Sequence, residues 1–274
     1  MSDRQESRRR WQTVAGGWEK HADDLRRDTM PVASWMIDAV RPQPGHNVLE
    51  LAAGIGDLGF LVAELIRPGG MLITSDLVPE MLTAAQRRAE NLGVPNVRFR
   101  QIDAQAIDQP AASLDAVLGR WAYMLMPDAE AALRDTRRVL KPGGRLALAA
   151  WAAPDDNPWT TLPVQVLTER GLVEPVAPGP GQFAWAPEGT IEEHLEAAGF
   201  VEYEVEPLSF TMRYGSVEAW WEHTTDMSLR ARDRSSRDQD DEIVAALAER
   251  AGPWRADDGS LALPARTWVA AATA

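Results

Sequence analysis

A short segment in the first quarter of the chain has the clearest structural pattern, and it reads Val48-Leu49-Glu50-Leu51-Ala52-Ala53-Gly54-Ile55-Gly56-Asp57-Leu58-Gly59. Its apolar start is typical of a buried strand, and its end begins a helical pattern. The small residues between them let a ligand approach the backbone closely. Because open α/β sheets bind ligands at the carboxyl ends of their strands, this loop predicts a binding site.

Strands and helices alternate around this segment, which favours a mainly parallel sheet with helices on both faces. Two helical patterns stop at similar sequences, Arg67-Pro68-Gly69-Gly70 and Lys141-Pro142-Gly143-Gly144, where proline ends the helix and glycine suits the turn into a strand. The predicted strands are Asn47–Leu51, Met71–Asp76, Val97–Ile102, Leu114–Gly119 and Arg145–Trp151, and the predicted helices are Leu58–Ile66, Pro79–Leu92 and Ala129–Leu140.

The remainder of the chain is less regular. Thr190 and Glu193 have the spacing of a capping box, which predicts a helix ending at Gly199. Strands are expected at Tyr203–Phe210 and Pro264–Ala271, with a helical excursion between them. We therefore expect three parts, which are an N-terminal helical cover (residues 1–40), a core (residues 41–214 with 261–274) and a helical lid inserted before the last strand (residues 215–260).

The composition excludes several classes of protein. The 274 residues include no cysteine, which rules out disulfides, thiolate metal sites and cysteine nucleophiles. A formal net charge of −13 opposes general binding to nucleic acid or anionic membranes. No apolar run approaches the length of a membrane span, and the first residues lack the apolar stretch of a secretory signal. We therefore expect a cytoplasmic protein with a small-molecule substrate and no nucleic-acid or membrane partner.

The glycine loop alone leaves two cofactors open. Gly54-x-Gly56-x-x-Gly59 matches the dinucleotide pattern, and Asp76 lies near the distance expected of a ribose-binding acid, so a nicotinamide cofactor is one candidate. Glu50 favours the other candidate, because a carboxylate there would repel a pyrophosphate but accept a cationic ligand. Asp103, after the third strand, could accept a hydrogen bond from an adenine amino group. Together these acids favour S-adenosylmethionine.

At this point the sequence resembles the class I methyltransferases, particularly the ubiquinone/menaquinone-biosynthesis (methyltransferase type 11) branch, over Val48–Trp151. The resemblance implies a Rossmann-like sheet of seven strands, with the last antiparallel and helices on both faces. It also implies S-adenosylmethionine as cofactor and S-adenosylhomocysteine as product. The sequence departs mildly from the pattern, with Glu50 where aspartate is commoner and Ala53 where cysteine or glycine is commoner.

The same resemblance assigns the cofactor-binding residues. Glu50–Gly56 looks like the methionine-binding motif, and Asp76 with Pro79-Glu80-Met81-Leu82 looks like the ribose-binding motif. Asp103-Ala104 looks like the adenine-binding motif, and Leu114–Trp121 like the strand that closes the methyl-donor pocket. The residues expected to bind the cofactor are Glu50, Ala52, Gly54, Gly56, Asp76, Leu77, Met81, Asp103, Ala104 and Arg120.

Methyl transfer from a sulfonium needs alignment, exclusion of water and, for many acceptors, a base. His21 and His223 are the candidate bases, because both lie in segments expected to cover the acceptor, although the pattern favours an exposed helical histidine at each position. No histidine pair or carboxylate cluster has metal-ligand spacing. Aromatic and cationic side chains near the pocket are candidates for acceptor binding, namely Trp18, Arg120, Trp121 and Tyr123.

Two other functions use the same fold. A nicotinamide-dependent oxidoreductase commonly needs a Tyr-x-x-x-Lys pair, and none of Tyr123, Tyr203 and Tyr214 has a lysine four residues later. A non-catalytic binding protein would have no reason to keep acids at positions 50, 76 and 103. The resemblance suggests quinone-like or natural-product acceptors, and the sequence leaves open the accepting atom (oxygen, nitrogen, carbon or sulfur) and the oligomeric state.

Overall fold

The computed structural model describes residues 3–174, 179–232 and 238–274. The strands are β1 (Asn47–Glu50), β2 (Met71–Asp76), β3 (Val97–Gln101), β4 (Leu114–Arg120), β5 (Leu140–Trp151), β6 (Glu202–Tyr214) and β7 (Leu261–Thr273). The helices are α1 (Asp3–Lys20), α2 (Ala22–Val40), α3 (Asp57–Leu65), α4 (Pro79–Leu92), α5 (Ala129–Val139), α6 (Pro158–Glu169), α7 (Thr190–Ala197), α8 (Val217–Met227), α9 (Leu229–Arg232) and α10 (Asp240–Arg250).

The seven strands form one sheet in the order β3-β2-β1-β4-β5-β7-β6. Strands β1 to β5 pair in parallel, whereas β7 runs antiparallel to both β5 and β6. The expected Rossmann-like sheet with one antiparallel strand, the last in the chain, is therefore confirmed.

The strength of each sequence pattern follows from the position of its strand in the sheet. The central strands β1 and β4 are almost entirely buried, which explains their continuous apolar runs. The edge strand β3 has no buried residue, because only one side of it is paired. The other edge strand, β6, alternates between exposed and partly buried residues over its first half.

The order of the strands places the site. From β1 the chain adds β2 and then β3 on one side, and β4 and β5 on the other. The loops that follow β1 and β4 therefore leave the sheet in opposite directions at its carboxyl edge, and a crevice opens between them. Glu50 ends β1 and Arg120 ends β4, so both residues lie at this crevice, and the charge of Arg120 acts on the Glu50 carboxyl group.

The first helix of the expected cover, α1, contacts the first helix of the expected lid, α8. Helix α2 packs on β5, β6 and β7, whereas α1 contacts α4 and α8. Helix α8 follows β6 and also contacts α10. The division into cover, core and lid stays a prediction.

Local details differ from the sequence expectations. The capping box at Thr190 is wrong, because Gly189 takes the N-cap position with a left-handed φ of 88° and Thr190 is already helical. Lys141-Pro142-Gly143-Gly144 lies within β5 rather than before it, since Leu140 already pairs with Leu114 ahead of a register shift. Strand β6 continues four residues past Phe210, to Tyr214, because β7 pairs along its whole length. The loop Pro175–Gly181 and the charged stretch Arg230–Glu242 lie partly outside the described residues.

Candidate cofactor and acceptor site

The loop between β1 and α3 has the backbone conformation that its small residues predict. Ala52, Gly54 and Gly56 all have positive φ, at 47°, 56° and 83°. A Cβ on Gly56 would lie 2.5 Å from the Phe60 ring, so packing and conformation both require glycine there. Nothing lies within 4 Å of the corresponding position on Gly54 among the described residues, which leaves this part of the loop open to a ligand.

The carboxyl group of Glu50 is buried beneath this loop. Glu50 is 3% exposed, and it lies so close to the first turn of α3 that a Cβ on Gly59 would overlap it. Its Oε2 atom has no hydrogen-bond partner among the described residues. Burial raises the pKa of Glu50 to about 8, while the nearby Arg120 opposes the rise. The ligand-free protein thus holds this carboxyl group neutral, and a cation bound beside its unpartnered oxygen would lower its pKa and favour the ionised form.

Asp76, at the end of the neighbouring strand, connects the loop to β2. Its Oδ2 accepts from the Gly54 N–H at 2.9 Å, and its Oδ1 accepts from the Val78 N–H at 2.9 Å. Burial raises the pKa of Asp76 to about 6, and these backbone hydrogen bonds oppose the rise. The carboxylate thus holds the loop in place, and its remaining lone pairs are directed to the same edge as Glu50.

Arg120 closes the crevice from the β4 side. Its Nη1 donates to Thr29 Oγ1 of α2 at 2.8 Å, and its guanidinium carbon lies 5.1 Å from the centroid of the Trp121 ring. Burial lowers the pKa of Arg120, while the Glu50 and Asp57 carboxylates raise it. The guanidinium and the Glu50 carboxyl group are therefore electrostatic partners across the crevice.

The remaining residues expected at the adenosine end lie on adjacent loops. Asp103 accepts from the Gln105 N–H at 2.9 Å in the turn after β3, and Ala104 is buried beside it. Leu77 follows Asp76, and its carbonyl accepts from Gln101 Nε2 at 3.0 Å. Met81 is buried in the first turn of α4. Asp103, Leu77 and Met81 therefore lie at the β2 and β3 end of the carboxyl edge.

Helix α1 packs across this end of the site. Trp18 packs against the cluster of Ala15, Val78 and Met81, and also against a second cluster that includes Ile55 of the glycine loop. Its indole Nε1 is buried and has no hydrogen-bond partner among the described residues. The guanidinium of Arg87 on α4 donates twice to Glu19, at 2.9 and 2.7 Å, and so attaches the helix. Trp18, expected at the acceptor, thus lies against the cofactor loop.

The two candidate bases are brought together although they are about 200 residues apart in the sequence. The ring centroids of His21 and His223 are 4.8 Å apart in an edge-to-face arrangement. His21 Nε2 lies 2.9 Å from Asp226 Oδ2, which also accepts from Lys20 Nζ at 2.8 Å. Burial, followed by the charge of His21, lowers the pKa of His223 to about 4, so this imidazole is neutral at physiological pH.

An aromatic cluster lies beyond Arg120. Trp121 stacks on Trp151 with centroids 4.2 Å apart and 9° between the planes, and Phe210 lies 6.2 Å from Trp121. Trp121 Nε1 donates to Thr267 Oγ1 at 3.0 Å. The φ of Trp121 is 55°, which is strained for a bulky residue and is typical of functional sites.

Tyr123 has a different environment. Its ring is 1% exposed, and its hydroxyl is 2.8 Å from Thr136 Oγ1 in the core. The ring stacks on Trp185 at 6.2 Å.

Four residues of the site were not expected from the sequence, namely Asp226, Thr29, Trp151 and Phe210. Of these, Asp226 could have been found, because it lies three residues after His223 on the same face of a predicted helix.

These residues fit a cationic adenosyl ligand better than a dinucleotide. Glu50 places a buried carboxyl group beneath the loop, where a cation would favour its ionised form but an anionic pyrophosphate would disfavour it. The unpartnered Oε2 of Glu50 is a natural partner for a cation. Within the described ranges, no group of three or more potential metal ligands is found. No helix among the described residues is long and apolar enough to cross a membrane.

Comparison with known sequences identifies relatives. The model of the ubiE/COQ5 methyltransferase family matches residues 32–159. Nocamycin O-methyltransferase from Saccharothrix syringae is 30% identical over 202 residues, which cover 69% of this chain and 71% of that protein. The ubiquinone/menaquinone biosynthesis C-methyltransferase UbiE from Pasteurella multocida is 37% identical over 127 residues, 46% of this chain and 47% of that enzyme. The chain thus spans about half the length of this second relative.

Solved structures show the same fold. The YcgJ protein from Bacillus subtilis superposes with a TM-score of 0.59 and 20% identity, covering 88% of this chain and 97% of that one. A SAM-dependent methyltransferase from Aquifex aeolicus gives a TM-score of 0.52 and 20% identity, covering 69% and 88%. At this level of identity the likeness describes the fold alone.

Proposed function

The chain belongs to the class I methyltransferases, in their UbiE-like branch, and we propose that it methylates a hydroxyl oxygen of a small molecule with His21 as the general base. The cofactor is S-adenosylmethionine, in agreement with the family. The observation that carries the proposal is the hydrogen bond between His21 Nε2 and Asp226 Oδ2, at 2.9 Å. His21 directly precedes α2, whose first residue, Ala22, belongs to the same hydrophobic cluster as Ile55 of the cofactor loop.

The residues that would hold the cofactor are those of the three acidic motifs. Glu50 would partner its positive charge, Asp76 would accept from the ribose hydroxyls, and Asp103 would accept from the adenine amino group. Ala52, Gly54 and Gly56 would keep the backbone open, while Leu77, Met81 and Ala104 would supply apolar contacts. When bound, the cofactor supplies a methyl group on a positively charged sulfur, ready for in-line displacement.

His21 and Asp226 together have the form of a base and its orienting carboxylate. If Asp226 accepts the Nε2 proton, the Nδ1 atom of His21 is left as the free lone pair. Nδ1 would take the hydroxyl proton of the acceptor as the oxygen attacks the methyl group, and Asp226 would stabilise the imidazolium. His223 packs against this ring, and its burial excludes water from the same space.

The aromatic cluster next to Arg120 is the proposed wall for the acceptor. Trp121 is only partly buried and offers flat apolar surface, while the buried Trp151 stacks against its ring. The hydrogen bond from Trp121 Nε1 to Thr267 fixes the indole. Arg120 would lie at the boundary between cofactor and acceptor, where its charge could face an anionic oxygen. Trp18 would close the cofactor side.

Oxygen is favoured as the accepting atom by the extent of the similarity. The UbiE relative aligns over 127 residues, close to the length of the family match at 32–159. The nocamycin O-methyltransferase aligns over 202 residues, so its similarity extends well beyond residues 32–159. We also propose that the protein acts in the cytoplasm and on no nucleic acid, because its net charge of −13 repels phosphate backbones.

The test measures transfer of a labelled methyl group from S-adenosylmethionine to phenols and enols, with the product identified as an ether or a C-methyl compound by NMR. Replacing the base in His21→Gln should lower kcat by about 100-fold or more, and Asp226→Asn should lower it by a smaller factor. The matched control is His46→Gln, because His46 precedes β1 at the opposite edge of the sheet. Full activity in His21→Gln would contradict the assignment of the base, and C-methyl products would contradict the assignment of oxygen.

A further inference from the structure

The last residue of β6, Tyr214, carries a buried hydroxyl group that the proposed reaction does not use. Tyr214 is 8% exposed, and its Oη has no hydrogen-bond partner among the described residues. Buried hydroxyl groups in folded proteins nearly always have a partner, because leaving one without a hydrogen bond costs free energy. The hydroxyl of Tyr214 therefore marks a position where a ligand atom can bind.

The surroundings of Tyr214 connect it to the candidate base. Its ring is 5.2 Å from His223, edge to face, and His223 is in turn 4.8 Å from His21. On the other side, its neighbour Arg213 donates its backbone N–H to Asp28 of α2 at 2.8 Å. Tyr214 thus lies between α2 and α8, the helices that carry Thr29 against Arg120 and His223 against His21.

The chemistry of the hydroxyl is that of a donor. Burial raises the pKa of Tyr214 well above its usual range, and the charges of Asp28 and Asp24 raise it further. The phenol therefore keeps its proton at physiological pH and offers it to a lone pair. Its natural partner is an uncharged oxygen, such as a carbonyl or a second hydroxyl group.

We propose that Tyr214 Oη donates a hydrogen bond to a second oxygen of the acceptor, next to the hydroxyl group that is methylated. This assignment rests on the proposed function and narrows it to acceptors that carry two neighbouring oxygens. A site built around a hydrogen bond discriminates against an analogue that lacks the bonding atom, because the buried donor is then left unpaired.

The experiment compares two pairs of acceptors in the wild type, in Tyr214→Phe and in the control Tyr203→Phe. The pairs are catechol with phenol, and salicylaldehyde with o-cresol, so that each pair differs in its second oxygen. Tyr203 is a suitable control because it lies on the edge strand, with its hydroxyl bonded to Glu196. The wild type and Tyr203→Phe should favour the two-oxygen acceptor by about tenfold in kcat/KM, and Tyr214→Phe should remove the preference, mainly through KM. The Kd for S-adenosylhomocysteine should stay unchanged.

A thermal-stability measurement keeps the inference testable without an acceptor. Because the hydroxyl has no partner in the ligand-free protein, Tyr214→Phe should unfold at a Tm equal to or above that of the wild type. A lower Tm, or an unchanged acceptor preference, would overturn the inference. If the wild type methylates none of the four compounds, the proposed function is contradicted for phenols and the inference, which rests on it, is overturned as well. Methylation by the wild type with an unchanged preference in Tyr214→Phe overturns the inference alone.

Discussion

Replacing Glu50 by glutamine should stabilise the ligand-free protein, and the gain should grow with pH. The pKa of Glu50 rises from 4.5 to about 8 in the fold, chiefly because burial disfavours the charged form. The folded protein therefore keeps a proton that the unfolded chain has lost, and its stability falls as pH rises through this range. Glutamine has the same shape as glutamate, is always neutral and has no such dependence.

The expected size of the effect follows from the two pKa values. With 4.5 in the unfolded chain and about 8 in the fold, the free energy of unfolding of the wild type should fall by about 3 kcal/mol relative to Glu50→Gln between about pH 5.5 and about pH 8.5. Urea denaturation of both proteins across this range, without cofactor, measures the difference. Glu90→Gln is the matched control, because Glu90 is exposed on α4.

Parallel pH profiles for the wild type and Glu50→Gln would refute the reasoning. They would mean that Glu50 is ionised in the fold throughout, with Arg120 compensating for its burial. A difference that appears in Glu90→Gln as well would show instead that the effect belongs to the net charge of −13 rather than to the buried site.

Two further predictions concern stability. Gly56→Ala should lower the free energy of unfolding by about 1 kcal/mol or more, because a Cβ would meet the Phe60 ring at 2.5 Å and φ is 83°. Gly252→Ala is the control, since a Cβ there has no neighbour within 4 Å among the described residues, and equal losses of the two variants in urea denaturation would count against the packing argument. The free energy of unfolding of the wild type should fall by roughly 3 kcal/mol as pH falls from 6.5 towards 4, because the imidazole of His223 binds a proton in the unfolded chain but not in the fold. His223→Gln should not show this decrease, and the same decrease in the variant would contradict the low pKa.

Much of the cofactor end could be predicted from the sequence because its signals are local. The buried strand, the small residues and the acids Glu50 and Asp76 are all read within one strand–loop–helix unit or at the next strand end. The seven-stranded sheet followed from the alternation of strands and helices together with the family resemblance. The sequence pattern of β3 is weak because its edge position leaves its residues exposed.

The proposed acceptor end has few signals in the sequence, because it is assembled by tertiary contacts. His21 and Asp226 are joined across 205 positions, and no local pattern records their hydrogen bond. The hydroxyl of Tyr214 is unusual because it has no hydrogen-bond partner among the described residues, and only the three-dimensional structure shows this. The positive φ of Trp121 could not be predicted from the sequence either, because most residues with positive φ in this protein are glycines.

The most direct test of the cofactor site is calorimetric titration with S-adenosylhomocysteine, S-adenosylmethionine and NAD, for the wild type and Asp76→Asn. Asp76→Asn keeps the shape of the side chain, removes the charge that should bind the ribose hydroxyls, and replaces one of the two oxygens that accept from the Gly54 and Val78 N–H groups. We expect both sulfur nucleotides to bind the wild type, NAD not to bind, and the variant to lose about tenfold to 100-fold in affinity while remaining folded. Binding of NAD alone, or equal affinity of the folded variant for the sulfur nucleotides, would contradict the account.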